Sequence, residues 1–248
     1  GNVINVLLNY LLIFGLHGFP ELGVEGAAIG TLISRWAMVL FMAINVKNKK
    51  SFRRYYRKLF RVKMVKEVFY KIFSLGFPSA LQMFFEVTFF TSAIWMSGFL
   101  GKNPQAANQI ALNLSSMTYM VALGVGVTAM IRVGNEKGRG DFVSLRRVAI
   151  STFLLIFLMD FLFCLFFVCT HDILPWLYLN GNTPNITSDV AEVVQIASNL
   201  ILIAAFFQIA DGVQAVVLGA LRGIQDVSIP ALLIFISYGL VGFPISYF

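Results

Sequence analysis

The sequence has few charged residues and very few of the side chains that build catalytic or metal centres. Of its 248 residues only 12% are Asp, Glu, Lys or Arg, and there are two cysteines and two histidines. His17 and His171 lie in predicted outer loops, which argues against a metal-dependent intramembrane enzyme. Cys164 and Cys169 are five residues apart on one apolar helix and are not aligned for a disulfide bond, so we interpret them as packing residues. We therefore expect no enzyme.

What the sequence does contain is apolar surface, at 58% hydrophobic residues and a mean hydropathy of +0.79. Windows of about 20 apolar residues recur along the chain, and each is long enough to cross a hydrocarbon core about 30 Å thick. This pattern predicts an all-α, polytopic membrane protein. Because the chain begins at Gly1 and ends at Phe248 inside an apolar run, we expect a fragment. The seven predicted spans are 1–16, 24–46, 72–100, 105–131, 147–170, 193–220 and 228–248.

The basic residues are concentrated in one segment, where Lys47 to Lys71 holds eleven Lys or Arg residues among several aromatic side chains. Both neighbours of this segment are predicted spans, so we interpret it as a cytoplasmic loop rather than a nucleic-acid site. Counting loops alternately from it assigns seventeen of the nineteen basic residues to the same side. The segment is predicted to form an amphipathic helix on the anionic inner leaflet and to join two halves of the protein.

Glu86 lies in the middle of the third predicted span. A charged side chain at the bilayer centre costs roughly 2.5 kcal/mol or more on insertion scales, so an intramembrane Glu is a candidate functional residue. Gln82 precedes it by one turn and is predicted to line the same cavity. Pro78 can open the helix backbone nearby. We expect an ion or substrate site on this helix.

Two further acids are predicted to lie within spans. Asp211 has Gln208 and Gln214 three residues away on either side, which repeats the pattern of an acid with amide neighbours. Asp160 stands alone among large apolar residues. It could be a proton relay or a structural hydrogen-bond partner, and the lack of a polar residue one turn away favours the structural role.

Polar side chains also form faces on two other predicted spans. On the first span, asparagines recur at three- and four-residue spacing: Asn2, Asn5 and Asn9. These side chains either form hydrogen bonds between helices or line a polar cavity. On the fourth span, seven polar residues fall within one arc, which favours a wet central cavity over polar helix packing; they are Gln105, Asn108, Gln109, Asn113, Ser115, Ser116 and Tyr119.

The order of four motifs resembles the multidrug and toxic compound extrusion (MATE) family of cation-coupled antiporters. The motifs are NVINVLLNYLLIFGLHGFPELGVEGAAIGT, LGFPSALQMFFE, AANQIALN and FFQIADGVQAVVLGALRGIQD. The resemblance implies twelve helices in two six-helix lobes, of which this chain would hold helices five to eleven. Residues 1–46 would be the last two helices of the N-lobe, 47–71 the inter-lobe linker and 72–248 the C-lobe without its last helix.

The resemblance also implies roles for individual residues. Glu86 and Asp211 match acids implicated in cation coupling, and Gln109 and Tyr119 match residues that face the C-lobe cavity. Asn9 matches a position where some members carry Asp, which puts an N-lobe proton site there in doubt.

The function implied is export of drugs or organic cations in exchange for Na⁺ or H⁺, with no other cofactor, by a multi-pass monomer of the plasma membrane. The amide and hydroxyl partners of Glu86 slightly favour Na⁺. The alternative is a lipid-linked flippase of the same superfamily, which would have a basic cavity.

Overall fold

The computed structural model describes residues 2–15, 20–49, 65–179 and 188–247. Within these ranges the regular structure is helical and contains no strand, which confirms the predicted all-α class. The helices are α1 (Asn2–Phe14), α2 (Gly23–Asn48), α3 (Lys66–Phe99), α4 (Lys102–Arg139), α5 (Phe142–Thr170), α6 (Ser188–Gly223), α7 (Ser228–Ile234) and α8 (Phe243–Tyr247). A 3₁₀ turn (Leu174–Leu177) follows α5, and a π-helix (Phe235–Gly242) connects α7 to α8.

Six of the seven predicted membrane spans are confirmed by length and composition. Helices α2 to α6 and the continuous helical segment Ser228–Ser246 are each long and apolar enough to cross a membrane. The remaining one, α1, is apolar but has 13 residues.

The chain divides into two compact units, residues 1–66 and 67–248. In the first, α1 packs against α2. The Leu22 amide donates to the Leu12 carbonyl across the turn at 3.0 Å. The boundary between the units falls inside the predicted 47–71 linker, whose residues 50–64 and predicted amphipathic helix lie outside the described residues.

The second unit is built around α4 and α6, which share its most extensive helix contact, with α5 packed against both. The two backbones approach closely because small residues line the contact. A Cβ added at Gly126 would lie 2.8 Å from the Ala215 carbonyl oxygen, and Gly219 packs on the backbone of Gly126. Ile156, from α5, is completely buried between them. These three helices form a closely packed frame for side chains that point into their contact.

Helix α3 contacts the rest of the second unit through side chains. It runs continuously through Pro78, which leaves the carbonyl one turn earlier without its helical donor. Phe85 packs on Phe235 with ring centroids 4.9 Å apart, and Phe89 packs on Tyr238 at 5.1 Å. Both partners lie on the π-helix, a helix type that is frequent at functional sites.

Candidate functional site

Glu86 of α3 and Tyr119 of α4 are joined directly. The Tyr119 hydroxyl donates to Glu86 Oε1 at 2.6 Å. Both side chains are half-buried. A typical intramolecular hydrogen bond contributes about 0.5–1.5 kcal/mol, so this contact helps to hold the Glu86 side chain in place on α3.

Asp211 of α6 lines the same pocket as Glu86 and Tyr119. The pocket has a volume of about 280 Å³. Its two carboxylates attract a cation, while apolar and aromatic walls accommodate an organic body. The remaining wall residues are Val87, Phe90, Thr91, Ile94, Leu112, Ser115, Ser116 and Phe207. The arrangement therefore suits either an organic cation or a small ion held by carboxylate and hydroxyl oxygens.

A narrow crevice continues from this pocket into the contact between α4, α5 and α6. Ser115, Tyr119 and Asp211 line both spaces, and the crevice is further lined by Thr118, Ala122, Asp160, Gln208 and Gly212. It leaves no room for a water molecule. Thr118 Oγ1 donates to Gln208 Oε1 at 2.9 Å inside it. The crevice is thus a dry, polar extension of the open pocket.

Asp160 belongs to this extension, which the sequence analysis did not predict. Its side chain is 2% exposed, and Oδ2 has no hydrogen-bond partner in the described part of the chain. It lies against Gly212: a Cβ added there would be 2.7 Å from Asp160 Cγ. The polar neighbours of Asp160 come from α4 and α6, so the pattern of residues on its own helix does not predict them. The available signal was the acid itself, unusual in a span.

The structure places Gln82 away from the pocket, which corrects the prediction that it lines a cavity with Glu86. Gln82 is 1% exposed, its Nε2 donates to the Val227 carbonyl at 3.1 Å, and its Oε1 accepts from Arg222 Nη2 at 3.0 Å. The four-residue spacing does put Gln82 and Glu86 on one face of α3, but successive turns of that face meet different neighbours. Gln82 ties α3 to the end of α6 and to the residue before α7.

The predicted polar face of α4 is divided among several environments. Asn108 donates to Ser97 Oγ at 3.3 Å and lines a separate pocket of about 510 Å³. Asn113 Oδ1 accepts from the Tyr178 hydroxyl at 2.8 Å. Gln109, predicted to take part in cation coupling, is exposed and does not line the Glu86 pocket. Of the candidate coupling residues, the structure brings together Glu86, Tyr119 and Asp211.

The two glutamines that flank Asp211 have different surroundings. Gln208 is 4% exposed and lines the crevice, where its Nε2 lacks a partner among the described residues. Gln214 donates to the Tyr238 hydroxyl on the π-helix at 3.3 Å. Across the described ranges, no three His, Cys, Asp or Glu side chains are grouped as metal ligands.

In the first unit, Asn5 and Asn9 of α1 make hydrogen bonds within the helix pair. Asn5 Nδ2 donates to Thr31 Oγ1 on α2 at 3.2 Å, and Asn9 Nδ2 donates to Asn5 Oδ1 at 3.3 Å. Asn9 Oδ1 lies against Gly30 and has no partner among the described residues. Of the two interpretations left open for this face, bonding between helices accounts for Asn5.

Comparison with known proteins gives consistent matches over the whole chain. The chain is 33% identical over 247 residues to the probable multidrug resistance protein NorM of Agrobacterium fabrum, covering 99% of this chain and 52% of the relative. It is 32% identical over 249 residues to the multidrug resistance protein NorM of Photobacterium profundum, with 100% and 52% coverage. The probable NorM of Rhizobium meliloti is 36% identical, with 97% and 51% coverage. The chain thus spans about half the length of these relatives.

Structure and family comparisons agree with these relatives. The fold matches the crystal structure of the eukaryotic MATE transporter AtDTX14 with a TM-score of 0.81 at 22% identity, over 98% of this chain and 51% of that one. The model of the MatE family matches residues 78–248, which contain Glu86, Tyr119 and Asp211. The chain therefore belongs to the MatE family, as its sequence motifs suggested.

Proposed function

We propose that this chain forms the part of a multidrug efflux antiporter that couples export of an organic cation or amphiphilic drug to inward movement of Na⁺ or H⁺. The observation that carries the proposal is the pocket in which Glu86, Tyr119 and Asp211 meet. Multi-pass membrane embedding follows from the six spans and the family, and we propose the plasma membrane as its location. The NorM relatives are multidrug resistance proteins by name, which supports the same function.

The coupling rests on competition for carboxylate charge. A pocket with two acids binds a proton or Na⁺ in one conformation and an organic cation in another, and exchange occurs only if one ligand weakens the other's binding. The aromatic and aliphatic wall of the pocket supplies contacts for drugs of different shape. Because the ionisable residues of the pocket are acids, a lipid-linked flippase with a basic cavity is not favoured.

Efflux from membrane vesicles containing the full-length protein tests this function. A fluorescent organic cation is followed first under an imposed Na⁺ gradient and then under a pH gradient alone. We expect wild-type efflux under at least one gradient, and strongly reduced efflux in Glu86→Gln under both, because an amide neither carries charge nor exchanges a proton. Glu67→Gln, at an exposed position in the first turn of the same helix, is the matched control and should behave like wild type.

Two results would contradict the proposal. Wild-type efflux rates in Glu86→Gln under both gradients would make this carboxylate structural. Transport of a lipid-linked anion without transport of organic cations would support the flippase instead. The expression level and monodispersity of each purified variant show whether a loss of efflux reflects misfolding.

A further inference from the structure

Asp160 is buried in an environment that leaves its charge unbalanced. The residue is 2% exposed, and its Oδ2 meets no donor in the described ranges. An ionised carboxylate without a partner is very costly in an apolar interior, and such groups normally take up a proton instead. A structural hydrogen-bond role would require the donor that Oδ2 lacks. The geometry therefore favours a carboxyl group that holds a proton.

The crevice around Asp160 restricts what it can bind. It has no room for a water molecule, so a hydrated ion does not fit beside the carboxylate. Gly212 packs directly against the carboxylate, and Gln208 offers an unpartnered amide nitrogen within the same crevice. A proton is the one ligand of a carboxylate that needs no additional space.

Asp211 connects this crevice to the open pocket, because it lines both. The titratable groups that line the crevice with Asp160 are Tyr119 from α4 and Asp211 from α6. On its own helix, Cys164 lies one turn away and is buried in the apolar core. Glu86 reaches this set through its hydrogen bond with Tyr119. Asp160 and Asp211 thus line one crevice, and two carboxylates close together in a site without water disfavour each other's ionisation.

We propose that Asp160 is a second proton-binding residue of the coupling site and exchanges one proton with Asp211. When the O–H bond at Asp211 breaks, an O–H bond forms at Asp160, and the negative charge moves from Asp160 to Asp211 at the pocket wall. Asp211 then meets an incoming cation as an anion while the proton stays in the crevice. As a role in coupling this rests on the proposed function, but proton binding by Asp160 can be measured without transport.

Infrared spectroscopy of the purified full-length protein tests the proposal, with the proton alone as the ligand. Aspartate carrying carbon-13 in its side-chain carboxyl distinguishes aspartic acid bands from those of glutamic acid, so the wild type can be measured without any substitution. At neutral pH we expect an isotope-sensitive band of a protonated aspartic acid. Asp160→Asn, which is nearly isosteric, should lose it or move it to Asp211. Asp189→Asn, at an exposed position in the first turn of α6, is the control and should keep it unchanged.

The exchange with Asp211 has its own signature. In Asp211→Asn the Asp160 band should persist, but at a shifted frequency and over a different pH range, because the charge that it faced is gone. The proposal is overturned if the labelled wild type shows no protonated aspartic acid at neutral pH. It is also overturned if the band is identical in Asp160→Asn, or if Asp211→Asn leaves its pH range unchanged. None of these results depends on drug efflux, so they are distinct from failure of the proposed function.

Discussion

The contact between Gly212 and Asp160 allows a sharp test of the packing that places the crevice. Gly212→Ala introduces a methyl group into the space that the Asp160 carboxylate occupies, with Cγ only 2.7 Å from the new Cβ. The Asp160 side chain is short and lies in a crevice without room for a water molecule, so it can turn aside only at a cost. Overpacking of a filled interior typically costs about 1–3 kcal/mol, and we expect a loss of stability in this range.

A second substitution tests whether the Asp160 carboxylate causes the loss of stability in Gly212→Ala. Asp160→Ala removes the group that the new methyl would overlap, and it also removes a buried acid without a partner. The double variant Asp160→Ala with Gly212→Ala should therefore be more stable than Gly212→Ala alone. In a double-mutant cycle, contacting residues show coupling of about 0.5–3 kcal/mol, whereas independent sites add within about 0.5 kcal/mol.

The measurement is thermal unfolding of the purified full-length protein in detergent, monitored by the accessibility of the buried Cys164 thiol in a Cys169→Ser background or by loss of monodispersity. Gly124→Ala is the matched control, because a Cβ at this exposed helical glycine of α4 has nothing within 4 Å. It should be neutral or slightly stabilising, as alanine favours helix over glycine. Additive effects of the Asp160 and Gly212 substitutions would refute the contact and with it the placement of Asp160 in the crevice.

Three further predictions concern the pocket, a helix cap and the topology. Tyr119→Phe removes the hydroxyl that holds the Glu86 side chain in place but keeps the ring. Because ordering a freed side chain on binding costs about 0.5–1.5 kcal/mol, the half-saturating concentration of the coupling cation should rise roughly two- to tenfold in efflux assays, whereas Tyr178→Phe, outside the pocket, should leave it unchanged. Asp141 accepts from the Ser144 amide at 3.0 Å at the start of α5, and this hydrogen bond lowers the pKa of Asp141 below its usual value. The stabilisation from this ionised cap is present above the unfolded-state pKa and is lost as pH falls through the lower folded-state pKa. Asp141→Ala should therefore be less stable than wild type at neutral pH and equal to it in strong acid. Asp141→Asn, which retains a cap acceptor, is the control. Arg54→Cys, in a background without Cys164 and Cys169, should resist membrane-impermeant thiol reagents in intact cells; labelling without permeabilisation would contradict a cytoplasmic loop.

The sequence by itself determined the helical class, six spans long enough to cross a membrane, and the candidate acids. These depend on local properties: the length of an apolar run must match the bilayer, and a carboxylate inside such a run is costly wherever its helix packs. Glu86 and Asp211 could be singled out in this way, because a lone acid in a span is visible without knowing its neighbours.

Only the tertiary structure decided which side chains meet. Residues four apart share a helix face, but the neighbour of that face changes at each turn, so Gln82 bonds Arg222 while Glu86 bonds Tyr119. Asp160 lacks polar residues on its own helix, and its place beside Asp211 follows from the close contact of α5 and α6 at Gly212. The place where two helices cross depends on residues far apart in sequence, so the periodicity of one helix does not predict it.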